Sequence, residues 1–285
     1  MAATWKDYPN GILWATRNGT VNPKVPTVYY DDPVQGPGIR NCSCIASMAS
    51  LAWVYPTQIM SNLTLTSATF KAGAKATMTS KLWLDDNNNF TYARSFEAQA
   101  SLNEIWPALY EKGYAKYVVN DLDAAQLPEP NMALTATQWK TPGLEPLVAM
   151  TGWTPESNII DKNASSSLIL NKITSYCSAP PDTQGISVMK YPGVAWTLNN
   201  PETAHTYSVL GIYQNYILIR DPLRPANAPA GSLTGNVWTV NQPTFNRGVA
   251  KNPAQAAQPL SLTNGTFGMT IDNFKTFFYA YGVVK

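Results

Sequence analysis

The chain has 285 residues and a formal net charge of +2, with 13% charged residues and no basic or acidic run. That length supports one large domain or two lobes sharing an interface, and the charge pattern excludes a nucleic-acid footprint and a polybasic membrane patch. The surface is expected to be polar but weakly charged, rich in Asn, Thr, Ser, Pro, Tyr and Trp, which fits a secreted protein better than a cytoplasmic one.

Residues 1–34, rich in Pro, Gly and Asn, read as an N-terminal extension of loop and extended structure, with Asp31-Asp32-Pro33 as a turn. Met1 to Lys6 lack the apolar core of a signal peptide. A Gly-rich loop from Gln35 to Gly38 then leads to Cys42. From Asn41 to about Val54 the spacing turns helical: Ile45, Met48, Ala49 and Ala52 fall at i, i+3, i+4 and i+7. This predicts an amphipathic helix with Asn41 as N-cap and Pro56 as its stop. Ala46, Ser47 and Ser50 would keep it slim enough to pack closely against another layer. The apolar run from Cys44 to Tyr55 is too short to span a bilayer, so a soluble protein with no membrane partner is expected.

Ser101-Leu102-Asn103-Glu104 has the form of a capping box. Pro107 fits the helix that follows only in its first turn, if it starts near Trp106, or else at a kink. Residues 120–145 read as loop. Beyond about residue 185 the period becomes two, predicting strands over Gly185–Tyr191, Thr206–Ile212, Tyr216–Ile219 and Val237–Val240. A short capped helix over Thr270–Phe278 and a terminal strand close the chain. The expected fold is α+β, with a helical lobe over residues 35–150 and an antiparallel β-rich lobe over residues 151–285.

His205 is the one histidine, so imidazole chemistry near neutral pH has one candidate. A thiol attacks only as thiolate, and a helix start plus a neighbouring imidazolium can bring its pKa to roughly 3–4. Cys42 has the helix start; His205 would be the base. Asp221, sixteen residues on, would orient the imidazole by accepting its Nδ1–H. If the intervening turn centres near Tyr213, positions 205 and 221 face each other; centred at Gln214-Asn215, they are offset by three and need a twist or bulge. Gln35 and the Cys42 backbone N–H are candidate donors to a developing oxyanion. Taken singly, each residue has an ordinary structural role; in this order and context they point to acyl transfer.

Two further features concern the cysteines and asparagines. Cys44 and Cys177 could form a disulfide that leaves Cys42 reactive, or all three cysteines could be reduced. Asn-x-Ser/Thr triplets begin at Asn18, Asn41, Asn62, Asn89, Asn163 and Asn264, and a glycan on Asn41 would block the site.

The segment from Gln35-Gly36 through Cys42 to Ala49-Ser50-Leu51-Ala52 resembles the nucleophile segment of calpains. The stretch from Glu104-Ile105-Trp106 to Tyr114-Ala115-Lys116, the segment Leu144–Gly152, the strand His205-Thr206-Tyr207-Ser208-Val209 and the segment Met269–Phe277 also look like calpain segments, in the same order. Asn215-Tyr216-Ile217-Leu218-Ile219 and the sixteen-residue His-to-Asp spacing are similar to papain. The resemblance covers about residues 35–283. It implies a papain-like two-lobed fold and a monomeric calpain-like cysteine peptidase acting on protein or peptide substrates, with Cys42, His205, Asp221 and Gln35 as its catalytic residues. Ser43 stands where such enzymes usually have Trp, Asp221 where they have Asn, Pro222-Leu223 where a shielding Trp follows, and Arg40 in place of a Gly. No EF-hand loop is present, so no cofactor is expected, calcium in the core being the one that the resemblance leaves open. The alternatives on the same fold are a peptide ligase or transamidase and an inactive binding protein.

Overall fold

The computed structural model describes residues 3–14, 28–36, 39–91, 93–95, 104–120, 129–130, 132–140, 142–178, 185–200, 202–223, 228–229, 232–234, 238–240, 258–260 and 264–285. Its first part holds short strands around helices: β1 (Thr4–Lys6), β2 (Pro33–Val34), α1 (Cys42–Val54), α2 (Pro56–Asn62), β3 (Leu63–Thr64), β4 (Ser67–Thr69), β5 (Lys75–Thr77), β6 (Leu82–Leu84), β7 (Arg94–Ser95), α3 (Trp106–Val118) and α4 (Glu145–Thr151). Its second part is mostly strand: β8 (Pro155–Ile159), α5 (Ser166–Ser175), β9 (Ile186–Trp196), β10 (Thr206–Tyr213), β11 (Tyr216–Arg220), β12 (Trp238–Val240), β13 (Gln258–Leu260), β14 (Thr266–Thr270), α6 (Ile271–Phe277) and β15 (Ala280–Val284). Six of these strands form one antiparallel sheet in the order β14-β11-β10-β9-β15-β8. The fold is α+β.

Helix α1 lies against β9 and β10 and all thirteen of its residues are buried. It is therefore a core helix rather than the amphipathic one that the apolar spacing predicted, because the small polar residues between its apolar ones are buried as well. Ser43 Oγ donates to Gly143 O at 3.1 Å, and Ser50 Oγ accepts the Gly193 N–H at 2.6 Å. From the sheet side, Ser208 Oγ donates to Ala46 O at 2.8 Å. Small side chains thus let helix and sheet approach closely and bond directly. Asn41 precedes α1 but makes no side-chain cap; its amide is drawn off to the Glu111 carboxyl of α3. Pro56 does end α1, and it also opens α2 as a first-turn proline.

Pro107 sits in the first turn of α3, the first of the two placements expected. Of the capping-box residues, Ser101 to Asn103 lie outside the described residues, and Glu104 forms an isolated bridge with Ile12. The N-terminal extension joins the same body: β1 pairs with β6, and Trp5 meets Trp83 edge to face at 4.9 Å. At the other end Thr270 Oγ1 caps α6 by accepting the Asn273 N–H at 3.3 Å.

The β10–β11 hairpin turns at Gln214-Asn215, between the paired residues Tyr213 and Tyr216, with Gln214 at φ +53°. Its register shifts between Val209, opposite Ile219, and Gly211, opposite Leu218, so Leu210 is the extra residue of a bulge. The bulge carbonyl is not orphaned: Trp53 Nε1, from the far end of α1, donates to Leu210 O at 2.8 Å. Gly211 follows because the chain passes close to β9 there. A Cβ at that position would lie 2.6 Å from Ser187 O and 3.1 Å from Val188 Cα. Gly211→Ala is expected to lower stability by roughly 1–3 kcal/mol through this backbone clash, read as a lower urea midpoint; an unchanged midpoint would mean that β9 yields freely there.

Candidate active site

The bulge decides what faces what. With an unbroken register, Asp221 would lie opposite Ser208, and His205, three residues further along, would point to the other face of the sheet. One extra residue at Leu210 moves Asp221 opposite Tyr207, so that His205, two residues away, lies on the same face as its diagonal neighbour. The observed contact is His205 Nε2 to Asp221 Oδ1 at 2.8 Å. The same carboxylate oxygen accepts the Leu223 N–H at 2.8 Å, which holds it in place. The nitrogen turned to Asp221 is therefore Nε2, not the Nδ1 expected from the sequence, and Nδ1 is left for the thiol.

Cys42 begins α1, where backbone N–H groups favour an anion. Its Sγ is 3.8 Å from the Ala204 carbonyl oxygen, and the residue is only 3% exposed. Burial pushes its pKa up, but hydrogen bonding and charge from His205, with the Thr206 backbone, outweigh that and leave the thiol below its ordinary value. The imidazole responds in the complementary direction. Burial lowers its pKa, whereas Asp221 and Cys42 together raise it to about 9. A thiolate–imidazolium pair is the state that this environment favours.

The other two cysteines are unlike the first. All three are free, so the Cys44–Cys177 disulfide considered from the sequence is not formed. Cys44 is pushed well above the ordinary thiol value by burial, then by Glu111 and Cys42. Burial pushes Cys177 up to about 12.

Gln35 is brought near the Asp221 end of the site through its backbone, whose N–H donates to Pro222 O at 3.0 Å. Its side-chain Nε2 turns back on its own loop and donates to Ile39 O at 2.5 Å, and Oε1 is buried without a partner. One Nε2 hydrogen thus remains for another acceptor. Gly38 lies outside the described residues.

Several contributors were not singled out from the sequence. Tyr207, on the same face as His205, meets the imidazole edge to face at 4.8 Å and stacks into a group with Phe277 and Phe278; its place two residues beyond His205 on a strand was the available signal. It supplies the aromatic cover that no Trp after Asp221 provides. Arg220 is fully buried and donates to Asn264 O at 3.1 Å, Asp31 O at 3.1 Å and Pro33 O at 2.6 Å, tying the end of β11 to the loop that leads to Gln35. An arginine closing an apolar strand beside Asp221 was the signal. Glu111, held largely neutral because burial raises its pKa to about 8, accepts from the Asn41 amide and from the Ala93 N–H and so fixes the residue before Cys42. Its link across seventy positions has no local mark in the sequence.

A cavity of about 600 Å³ opens beside the nucleophile loop, lined by Ile39, Arg40, Trp83, Met132, Leu134 and Glu202 among others. A second, of about 630 Å³, is walled by α3, α4 and Trp196 and does not include the cysteine or the histidine. No described group of three or more His, Cys, Asp or Glu side chains is arranged to hold a metal ion, and no described helix is long and apolar enough to cross a membrane. Of the acceptor triplets, Asn41 and Asn264 are buried and Asn89 and Asn163 exposed, while Asn18 lies outside the described residues. Neither a comparison with protein-family models nor one with curated proteins found a match to this chain.

At pH 7, iodoacetamide is expected to label Cys42 while leaving Cys44 and Cys177 intact in the folded protein, as followed by peptide mass mapping. Labelling of all three at one rate would remove the activated thiolate.

Proposed function

We propose that the protein is a calpain-like cysteine endopeptidase with a papain-like two-lobed fold. What carries this reading is one arrangement: a thiol at a helix start beside an imidazole that draws its pKa below the ordinary value, the imidazole's Nε2 being held by a carboxylate. The similarity of five sequence segments, in order, to calpains agrees with it.

In the proposed reaction the Cys42 thiolate adds to the scissile carbonyl carbon, and the charge that moves to the carbonyl oxygen is met by the Cys42 N–H and the remaining Gln35 Nε2 hydrogen. As the C–N bond breaks, the His205 imidazolium gives its Nδ1 proton to the departing amine and a thioester remains. Water, deprotonated by the now neutral imidazole, attacks the thioester carbon; the C–S bond breaks, the acyl group leaves as a carboxylic acid, and the thiolate–imidazolium pair is restored. Asp221 keeps the ring oriented and favours its charged form throughout. Tyr207 and its aromatic neighbours shield this polar pair from water, and a shielded pair interacts more strongly.

With a denatured protein mixture as substrate, Cys42→Ala is expected to abolish cleavage; cuts that persist in that variant would reject the peptidase reading. Repeating the digest with an added amine tells hydrolysis from transamidation. The rate should fall above about pH 9, where His205 loses its proton, and on the acid side only below the ordinary thiol range, because the Cys42 pKa is lowered. Asp221→Asn keeps a hydrogen-bonding group but removes the charge that raises the His205 pKa. Its alkaline limb should therefore move to lower pH with activity retained, whereas Asp221→Ala should lose activity by roughly 10²-fold or more. An Asp221→Asn limb identical to that of the parent would show that the carboxylate does not set the imidazole charge.

A further inference from the structure

The connection between β9 and β10, described at residues 198–200 and 202–204, is a flap. Its base is closed by Thr197 N–H to His205 O and His205 N–H to Thr197 Oγ1, both at 3.0 Å. Within it, Asn200 gathers three N–H groups: Oδ1 takes that of Glu202 at 2.9 Å, and its carbonyl takes those of Thr203 at 3.2 Å and Ala204 at 2.8 Å. Glu202 to Ala204 are thereby bound into one turn.

The far end of this turn is tied to the nucleophile loop. Arg40 Nη1 is 2.7 Å from Glu202 Oε2 and also donates to the Glu202 carbonyl. The Cys42 thiol faces Ala204 O at 3.8 Å. Both contacts join residues 162 positions apart, so segments 40–42 and 202–204 run side by side in one direction over the sulfur. The Cys42 sulfur beneath them is almost sealed from solvent. Arg40 and Glu202 are themselves both more than half exposed, and the pair forms one wall of the 600 Å³ cavity whose other walls include Ile39, Trp83, Met132 and Leu134. Exposed ion pairs are weak and are screened by salt.

We propose that the Arg40–Glu202 pair is a gate: made, it holds the flap over Cys42; broken, it opens the thiol to the cavity beside it. That a peptide is what enters rests on the peptidase reading, whereas the gate itself does not. The gate makes access to the sulfur depend on ionic strength while leaving the His205–Asp221 pair undisturbed at the flap base.

The test is the rate of Cys42 alkylation by iodoacetamide in the intact protein, taken across pH so that the plateau, where the thiol is fully ionised, reports access alone. Arg40→Gln and Glu202→Gln should each raise the plateau about two- to fivefold. Raising salt from about 0.01 M to about 1 M, which shortens the Debye length from about 30 to 3 Å, should speed the parent by a similar factor and the variants hardly at all. The double swap Arg40→Glu with Glu202→Arg should bring the plateau part of the way back. Both variants sit at exposed positions, so folding is not at stake. Equal plateaus and equal salt response in parent and variants would overturn the gate. A gate that opens in these assays while no variant cuts any peptide supports the gate and removes the peptidase reading, so the two fail separately.

Discussion

Side chains on a strand alternate between faces, and that parity is the constraint on which the site depends. His205 and Asp221 come from neighbouring strands with a two-residue turn between them. Without correction they would sit on opposite faces of the sheet. The extra residue at Leu210 changes the parity, and the carbonyl it leaves unpaired in the ladder is taken by Trp53. Trp53 and Cys42 lie near the two ends of α1. The helix that presents the sulfur therefore also pins the irregularity that aligns the base with its carboxylate, so nucleophile and base are positioned by one buried element.

Electrostatics then separates groups that composition makes look alike. Cys42 and Cys44 are two residues apart, both buried, yet their thiols shift in opposite directions. The difference is the partner: imidazole beside one, a carboxyl and another thiol beside the other. Arg220 shows the structural use of a buried charge. Its guanidinium is spread over three carbonyl oxygens rather than paired with a single carboxylate, and with the Asn264–Tyr30 hydrogen bond it joins the loop at residues 31–33 to the one at Asn264.

Much of this was legible in the chain. Period-two runs marked β9, β10 and β11 to within a few residues at most ends, Thr270 marked the cap of α6, and Cys42 marked the start of α1. These are local signals set by neighbours a few positions away. The misreadings came from partners far off in sequence. Asn41 has the chemistry of a cap, but Glu111, seventy residues on, takes its amide. Small residues in α1 suggested one close contact and instead accompany burial on every side. The hairpin could be placed at either of two turns, since the bulge that reconciles Gln214-Asn215 with the His–Asp contact is set by Trp53 from another element. The imidazole nitrogen facing Asp221 is likewise a product of ring orientation, which spacing alone does not encode.

Burial of Asn264 has a bearing on how the chain would mature in a sugar-adding compartment. Its Nδ2 donates to Tyr30 Oη at 2.6 Å, and its carbonyl accepts from Arg220, so the folded protein offers no nitrogen there to a transferase. Only a nascent chain could be modified at that triplet, and an oligosaccharide attached then would have no room beside Tyr30 and Arg220. For such a chain, the order of events between closure of the β11–β14 edge and arrival of the sugar would decide whether it matures or is discarded.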